Sequence, residues 1–261
     1  MEWRKISSAF PSMGTLIRIT VYTKDEGRAS EAMVAARHRF EELDRKLSDY
    51  KADSEINQLK ALVTTRVSED LFAVLSFAQR VALLSSGAFD VTIGARTRGR
   101  SGTVGYRHIA LGNRTVTLLK PDMQLDLGGI AKGYAADEAS RVLSKRGFGR
   151  HLIAASGDIR VDDAPPGERG WQIGLGTEGH QRELKHAAVS TSGNTFQPKH
   201  IWDPRTLEPV VRSGTVTVVA PSGMCADALA TACLVLRPEE RAQLLARYPH
   251  TECIEGRPLL G

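Results

Sequence analysis

Asp126, Gly128, Gly129 and Lys132 fall within seven residues of the run LDLGGIAKGYAAD (125–137). Two glycines let the chain turn sharply and bring bare backbone close to a ligand. The helix expected to follow offers unpaired N–H groups and the positive end of its dipole, a setting that favours phosphate. Lys132 adds a mobile point charge on the first turn, so the group suits a diphosphate. Asp126 suits a ligand hydroxyl, an amide or a metal. A tight turn followed by a solvated lysine accounts for the same residues. The run matches neither a P-loop nor a G-x-G-x-x-G fingerprint.

A second group lies in CADALATA (225–232), where Asp227 and Thr231 stand four apart and share one helix face. A carboxylate and a hydroxyl at that spacing are hard oxygen donors suited to Mg²⁺. An aspartate capping a helix, with a threonine packing along it, explains the pair equally. A third group, STSGNTFQPKHIWDPRT (190–206), gathers Ser190, Thr191, Ser192, His200 and Asp203. Histidine is the side chain best poised to take a proton near neutral pH, and a nearby carboxylate could orient it. Asp90 follows an apolar Phe89, and Tyr50 sits in a loop where it could stack on a flat ring. The remaining histidines, His38, His108, His151, His180, His186 and His250, read as solvated. No G-x-S-x-G elbow supports a serine hydrolase.

These residues need elements to hold them. TLIRITVYT (15–23) alternates like a half-buried strand, and residues 28–47 carry apolar groups at helical spacing. A short helix is expected over SEINQLKAL, and Ser68 is placed to cap a helix over 69–85 that stops at Gly87. Residues 94–105, rich in Arg and Gly, read as a mobile surface loop. YRHIALGNRTVTLL looks like a hairpin turning at Gly112-Asn113. A helix over about 129–146 ends near Gly147, and HLIAASGDIRV, WQIGLG, HAAVSTS and TVTVVA are strand-like. CADALATACLVL is an apolar helix, and Pro238 opens another. Strands outnumber simple βαβ units, which predicts an α+β fold with largely antiparallel sheets flanked by helices, in one domain over residues 1–261.

The 261 residues are 41% hydrophobic and 25% charged, the balance of a globular protein with a sizeable core. The net charge is only +5, and the basic residues are scattered apart from GARTRGRSG, which argues against nucleic acid and fits a small anion. Three cysteines without C-x-x-C spacing argue against a disulfide framework or zinc ribbon. The start, MEWRKISSAFPSMGT, has no apolar signal core and no lipobox-like Cys, so a cytoplasmic protein without a membrane span is expected.

Taken in order, SMGT (12–15), LSDYKADSEINQL (47–59), GAFDVTIG (87–94), LDLGGIAKGYAAD (125–137) and HIWDPRT…VTVVAPSGMCADALATA (200–232) resemble the FAD:protein FMN transferases, the ApbE-like flavin transferases. STSGN (190–194) is a looser match. The resemblance implies an ApbE-like, T-fold-like architecture. It also implies an enzyme that takes FAD as substrate with Mg²⁺ and passes FMN to a Thr or Ser hydroxyl of an acceptor protein, releasing AMP. Carried over, Met13, Tyr50, Ala88, Phe89, Asp90, Asp126, Lys132 and Ile201 would contact FAD. Gly129, through its carbonyl, would hold Mg²⁺ with Asp227 and Thr231, and His200 would accept the proton of the attacking hydroxyl. The chain departs from the family at Ser156 and Leu207, where glycine is usual, and at Thr195-Phe196, where a Tyr is usual. After Gly94 it runs straight into the Arg-rich stretch where the family has a Pro and a longer helical insert. A shorter lid leaves two rival readings: an FAD diphosphatase that admits water, and a flavin carrier without chemistry.

Overall fold

The structure, a computed structural model, describes residues 2–176, 181–193, 201–211 and 214–256. Its frame is a seven-stranded sheet built from β1 (Arg4–Ser12), β2 (Thr15–Thr23), β6 (His151–Ala155), β7 (Asp158–Val161), β10 (Ala187–Gly193), β13 (Thr215–Ala220) and β14 (Glu252–Gly256), in that spatial order. Every neighbouring pair is antiparallel. The alternation that marked residues 15–23 is the cause of β2: Ile17, Ile19 and Val21 point into the main core, whereas Tyr22 packs on the opposite face. β1 and β14 lie at the sheet edges and carry no such alternation, so they are additions to the sequence reading.

One face of the sheet is covered by helices. α1 (Glu26–Leu47) buries Ala32, Ala36, Phe40, Leu43 and Leu47 and is capped by the Asp25 side chain. α2 (Glu69–Leu84) starts on Ser68, whose hydroxyl accepts from the Leu71 amide, and stops before Gly87, at φ +84°. α4 (Ala131–Lys145) and α5 (Gly223–Val235) lie against each other and against β6, β7, β10 and β13. α6 (Pro238–Leu245) opens on Pro238 as predicted. The other face is covered by the hairpin of β8 (Trp171–Gly174) and β9 (Gln181–Leu184), whose Trp171 and Ile173 pack with Val161 and Val189.

Two short pairings complete the described residues. β3 (Thr65–Arg66), β5 (Thr115–Leu118) and β4 (Ile109–Leu111) form a small sheet, and β11 (Trp202–Asp203) pairs with β12 (Glu208–Pro209). The fold is mixed α+β with antiparallel sheets, as the strand-rich pattern predicts. Three local expectations change. SEINQLKAL yields only a 3-10 turn at Ile56–Gln58, because Ser54 and Glu55 turn inward to the backbone and to Ser68. The stretch expected as a loop after residue 93 opens with a helical turn, α3 (Gly94–Thr97). His151 is fully buried rather than solvated, bonded to the Ser140 hydroxyl at 2.8 Å and the Phe148 carbonyl at 2.7 Å. Cys225, Cys233 and Cys253 are free thiols. Among the described residues no helix is long and apolar enough to cross a membrane.

Candidate active site

α4 and α5 meet at their N-termini, and the glycines in their sequences make this possible. A Cβ on Gly133 would lie 2.1 Å from the Gly223 carbonyl and 2.8 Å from the Asp227 Cβ, so only glycine permits the crossing. At this distance each helix caps the other. The Gly133 amide donates to Asp227 Oδ2 at 3.0 Å, and the Gly223 and Met224 amides donate to the two oxygens of Asp137 at 2.7 and 2.9 Å. Each acid sits at the positive end of the opposite helix, where its charge is favoured.

Lys132, one residue before Gly133, turns its ammonium back over the helix start. It donates to the Gly128 carbonyl at 2.9 Å, lies 3.4 Å from Asp158 Oδ2 and 3.9 Å from Asp227 Oδ2. Burial alone would make this ammonium easier to deprotonate. Asp227 and Asp158 outweigh it and hold the lysine above its usual range. Asp227 is pushed the other way: burial, aided by the charge of Asp158, raises its carboxyl against the pull of Lys132 and the Gly133 amide. A buried acid so destabilised as an anion is ready to gain from a cation.

Thr231 lies one turn beyond Asp227. Its hydroxyl is 3.4 Å from Ser192 Oγ, and a Cβ on Gly129 would stand 2.7 Å from it. Gly129 backbone, the Asp227 carboxylate and the Thr231 hydroxyl therefore face one small region. All three are hard oxygen donors, a set that fits Mg²⁺ and offers nothing to a thiophilic metal. Gly133 and Asp227, separated by 94 residues in sequence, are thus brought together.

The flanking residues gather on the far side of Gly128. Asp126 accepts from the Gly128 amide at 2.8 Å and from the Thr97 hydroxyl at 2.7 Å. Its own amide donates to Val91 at 2.7 Å, which draws in the segment of Ala88, Phe89 and Asp90. Ala88 and Phe89 are buried. Asp90 is also buried, and its oxygens are engaged by the Thr92 amide and hydroxyl and by the Tyr106 amide at 2.9, 2.7 and 2.6 Å. Burial raises its carboxyl despite these bonds. Tyr50 is 89% exposed and lies within electrostatic range of Asp126 and Lys132. Met13 occupies the β1–β2 turn at φ +50°, and Ile201 packs half-buried against the core.

Of the third group, Ser190 and Ser192 face this region from β10, whereas Thr191 points the opposite way, to Thr217. Asp203 is held by the Arg205 amide at 2.9 Å and by its guanidinium. His200 lies outside the described residues, as does His180. Sequence reasoning missed two residues here. Asp158 lies in a run read only as strand-like. Arg98 looked like one more loop arginine, yet it bonds the Asp49 carboxylate at 2.7 Å and fastens the Tyr50 loop beside Asp126. Neither carries a local signal; only the fold gives them partners.

This architecture is that of the ApbE flavin transferases. It superposes on a flavin transferase ApbE from Vibrio cholerae with a TM-score of 0.85 at 23% identity, covering 97% of this chain and 94% of that one. It superposes on a flavinyl transferase ApbE from Pseudomonas stutzeri, solved in its apo form, with a TM-score of 0.84 at 23% identity, covering 98% and 96%. The chain belongs to the ApbE family, whose model matches residues 13–254. Among curated relatives, one named FAD:protein FMN transferase from Klebsiella pneumoniae is 26% identical over 90% of this chain and 79% of its own length. One of Treponema pallidum is 29% identical over 96% and 84%.

Proposed function

We propose that this protein is an FAD:protein FMN transferase, acting as a single domain. It splits the diphosphate of FAD with Mg²⁺ and leaves FMN on a Thr or Ser hydroxyl of an acceptor protein, with AMP as the leaving group. The carrying observation is the convergence of Lys132 on Asp227 and Asp158 at the joined starts of α4 and α5. Family membership and the names of its relatives supply the substrate class.

The chain's own residues account for most of the work. Lys132 places a permanent positive charge where the diphosphate gains charge in the transition state. Gly129, Asp227 and Thr231 would hold the cation, and Mg²⁺, when bound, would supply Lewis-acid stabilisation of charge on the phosphoryl oxygens. Asp126 and Tyr50 orient the flavin half, with Met13, Ala88, Phe89, Asp90 and Ile201 lining its approach. His200 takes the proton from the attacking hydroxyl. Positioning supplies the remainder, because a phosphoryl group held in line needs little covalent help.

Co-expression with an acceptor domain tests this. The acceptor should gain the mass of one FMN less one water, and Asp227→Ala should abolish the gain. FMN and AMP appearing from FAD at full rate without an acceptor would mark a diphosphatase instead. Stoichiometric bound FAD that is never cleaved, with Mg²⁺ present, would mark a carrier.

A further inference from the structure

We propose that Asp158 is a positioning residue for Lys132, fixed in turn by Ser190, and that this pair sets how tightly the site grips a diphosphate. The inference rests on the reading of Lys132 as a diphosphate ligand. Asp158 begins β7 and is 5% exposed. In the sheet it stands directly opposite Ser190 of β10, and that register brings the Ser190 hydroxyl onto Asp158 Oδ1. The other oxygen, Oδ2, faces Lys132 Nζ at 3.4 Å.

The neighbouring carboxylate is farther from the ammonium and engaged elsewhere. Asp227 Oδ2 is already engaged by the Gly133 amide and lies 3.9 Å from the ammonium, beyond a hydrogen bond. An ammonium has three donors. Gly128 takes one and Asp158 pairs with the ammonium at 3.4 Å, which leaves donor capacity for a ligand. Lysine is otherwise a floppy anchor, with a flexible four-carbon stem that loses side-chain entropy when its end is fixed. Its side chain is only 25% exposed here, and the Asp158–Ser190 pair holds the free end before any ligand arrives. A buried carboxylate that merely filled space would cost desolvation that an apolar residue avoids.

Charge alone and positioning predict opposite signs. Removing a carboxylate beside an anionic ligand should tighten binding by charge. Removing a positioning residue should weaken it. The test measures binding of FAD, ADP and riboflavin to the wild type, Lys132→Met, Asp158→Asn and the double variant. Lys132→Met should weaken FAD and ADP by about 30-fold, as loss of a charge-assisted contact does. Asp158→Asn should weaken both by about 10-fold, and riboflavin, which has no phosphate, should bind unchanged. On Lys132→Met, Asp158→Asn should no longer weaken FAD, which should bind equally or more tightly, because the positioning role has nothing left to act on and only the charge effect remains. Ser190→Ala keeps every charge and should weaken FAD a few-fold in the same direction; it carries the cycle if Asp158→Asn does not fold. Equal or tighter FAD binding by Asp158→Asn, or a loss that persists in full on Lys132→Met, overturns the proposal. If Lys132→Met itself binds FAD and ADP normally, the diphosphate reading of the site falls first.

Discussion

Ser156 and Leu207 hold left-handed backbone, at φ +59° and +61°. Both are positions where the family resemblance leads one to expect glycine, and the angles give the reason: a Cβ there crowds its own carbonyl at about 1–2 kcal/mol per residue. Ser156 is the first central residue of the two-residue turn joining β6 to β7, where II′ hairpins favour glycine. Its side chain is exposed, so nothing is lost on removing it. Glycine also gains freedom in the unfolded chain, which returns part of the benefit. Ser156→Gly should stabilise the protein by about 0.5–1 kcal/mol, read as a higher denaturant midpoint with an unchanged slope. An unchanged or lower midpoint would show that the turn relaxes around the serine. The turn leads directly into Asp158, so a residue-scale departure from the family sits two positions from the proposed anchor of Lys132.

At the scale of elements, the informative unit is the α4–α5 pair with its exchanged caps. Burial raises the Asp137 carboxyl, and the Met224 and Gly223 amides pull it back. Asp137→Ala strips both amides of their acceptor and should cost about 1–2 kcal/mol, the range of a lost N-cap. The same variant should also weaken FAD binding, although Asp137 makes no contact with Lys132, because α5 carries Asp227 and Thr231 from the end that is released. Denaturation and a flavin titration on one preparation would check both; a stability loss with unaltered binding would uncouple the cap from the site. Sequence reading singled out Asp126, Lys132, Asp227 and Thr231 because they occur in two dense runs. It placed α4 and α5 within a few residues, since Gly147 and Pro238 punctuate them. It could not find the caps. Asp137 reads as a helix-body acid and Asp227 as a cap for its own helix, and only the glycine crossing redirects each to the other. Edge strands β1 and β14 escaped for a related reason: neighbours, not their own alternation, define them.

Across the whole molecule, α1, α2 and α4 are tied by one ionic cluster. Asp70 accepts from Lys46 at 2.7 Å, from the Tyr134 hydroxyl at 2.7 Å and from the Arg39 guanidinium, which also pairs with Glu138 at 2.7 Å. Burial would raise the Asp70 carboxyl, but Arg39, Lys46 and Tyr134 prevail and hold it down at about 2. A carboxyl lower in the folded state than in the unfolded chain stabilises the fold above the unfolded value, near 4. That support disappears as pH falls through the folded value. Asp70→Asn should therefore cost about 1–2 kcal/mol at pH 7, allowing for partial screening, and its deficit should close between about pH 4 and pH 2. Unfolding curves of both proteins across that range would show it; a deficit constant with pH would assign the loss to packing.

The order in which the chain is made bears on the site as well. Asp126 and Lys132 leave the ribosome well before β13 and α5, and the acid that completes their grip belongs to the last of these. A growing chain therefore holds Lys132 without Asp227 through most of its synthesis. Any product cut short before Ser222 keeps its lysine without the helix that faces it in the finished fold.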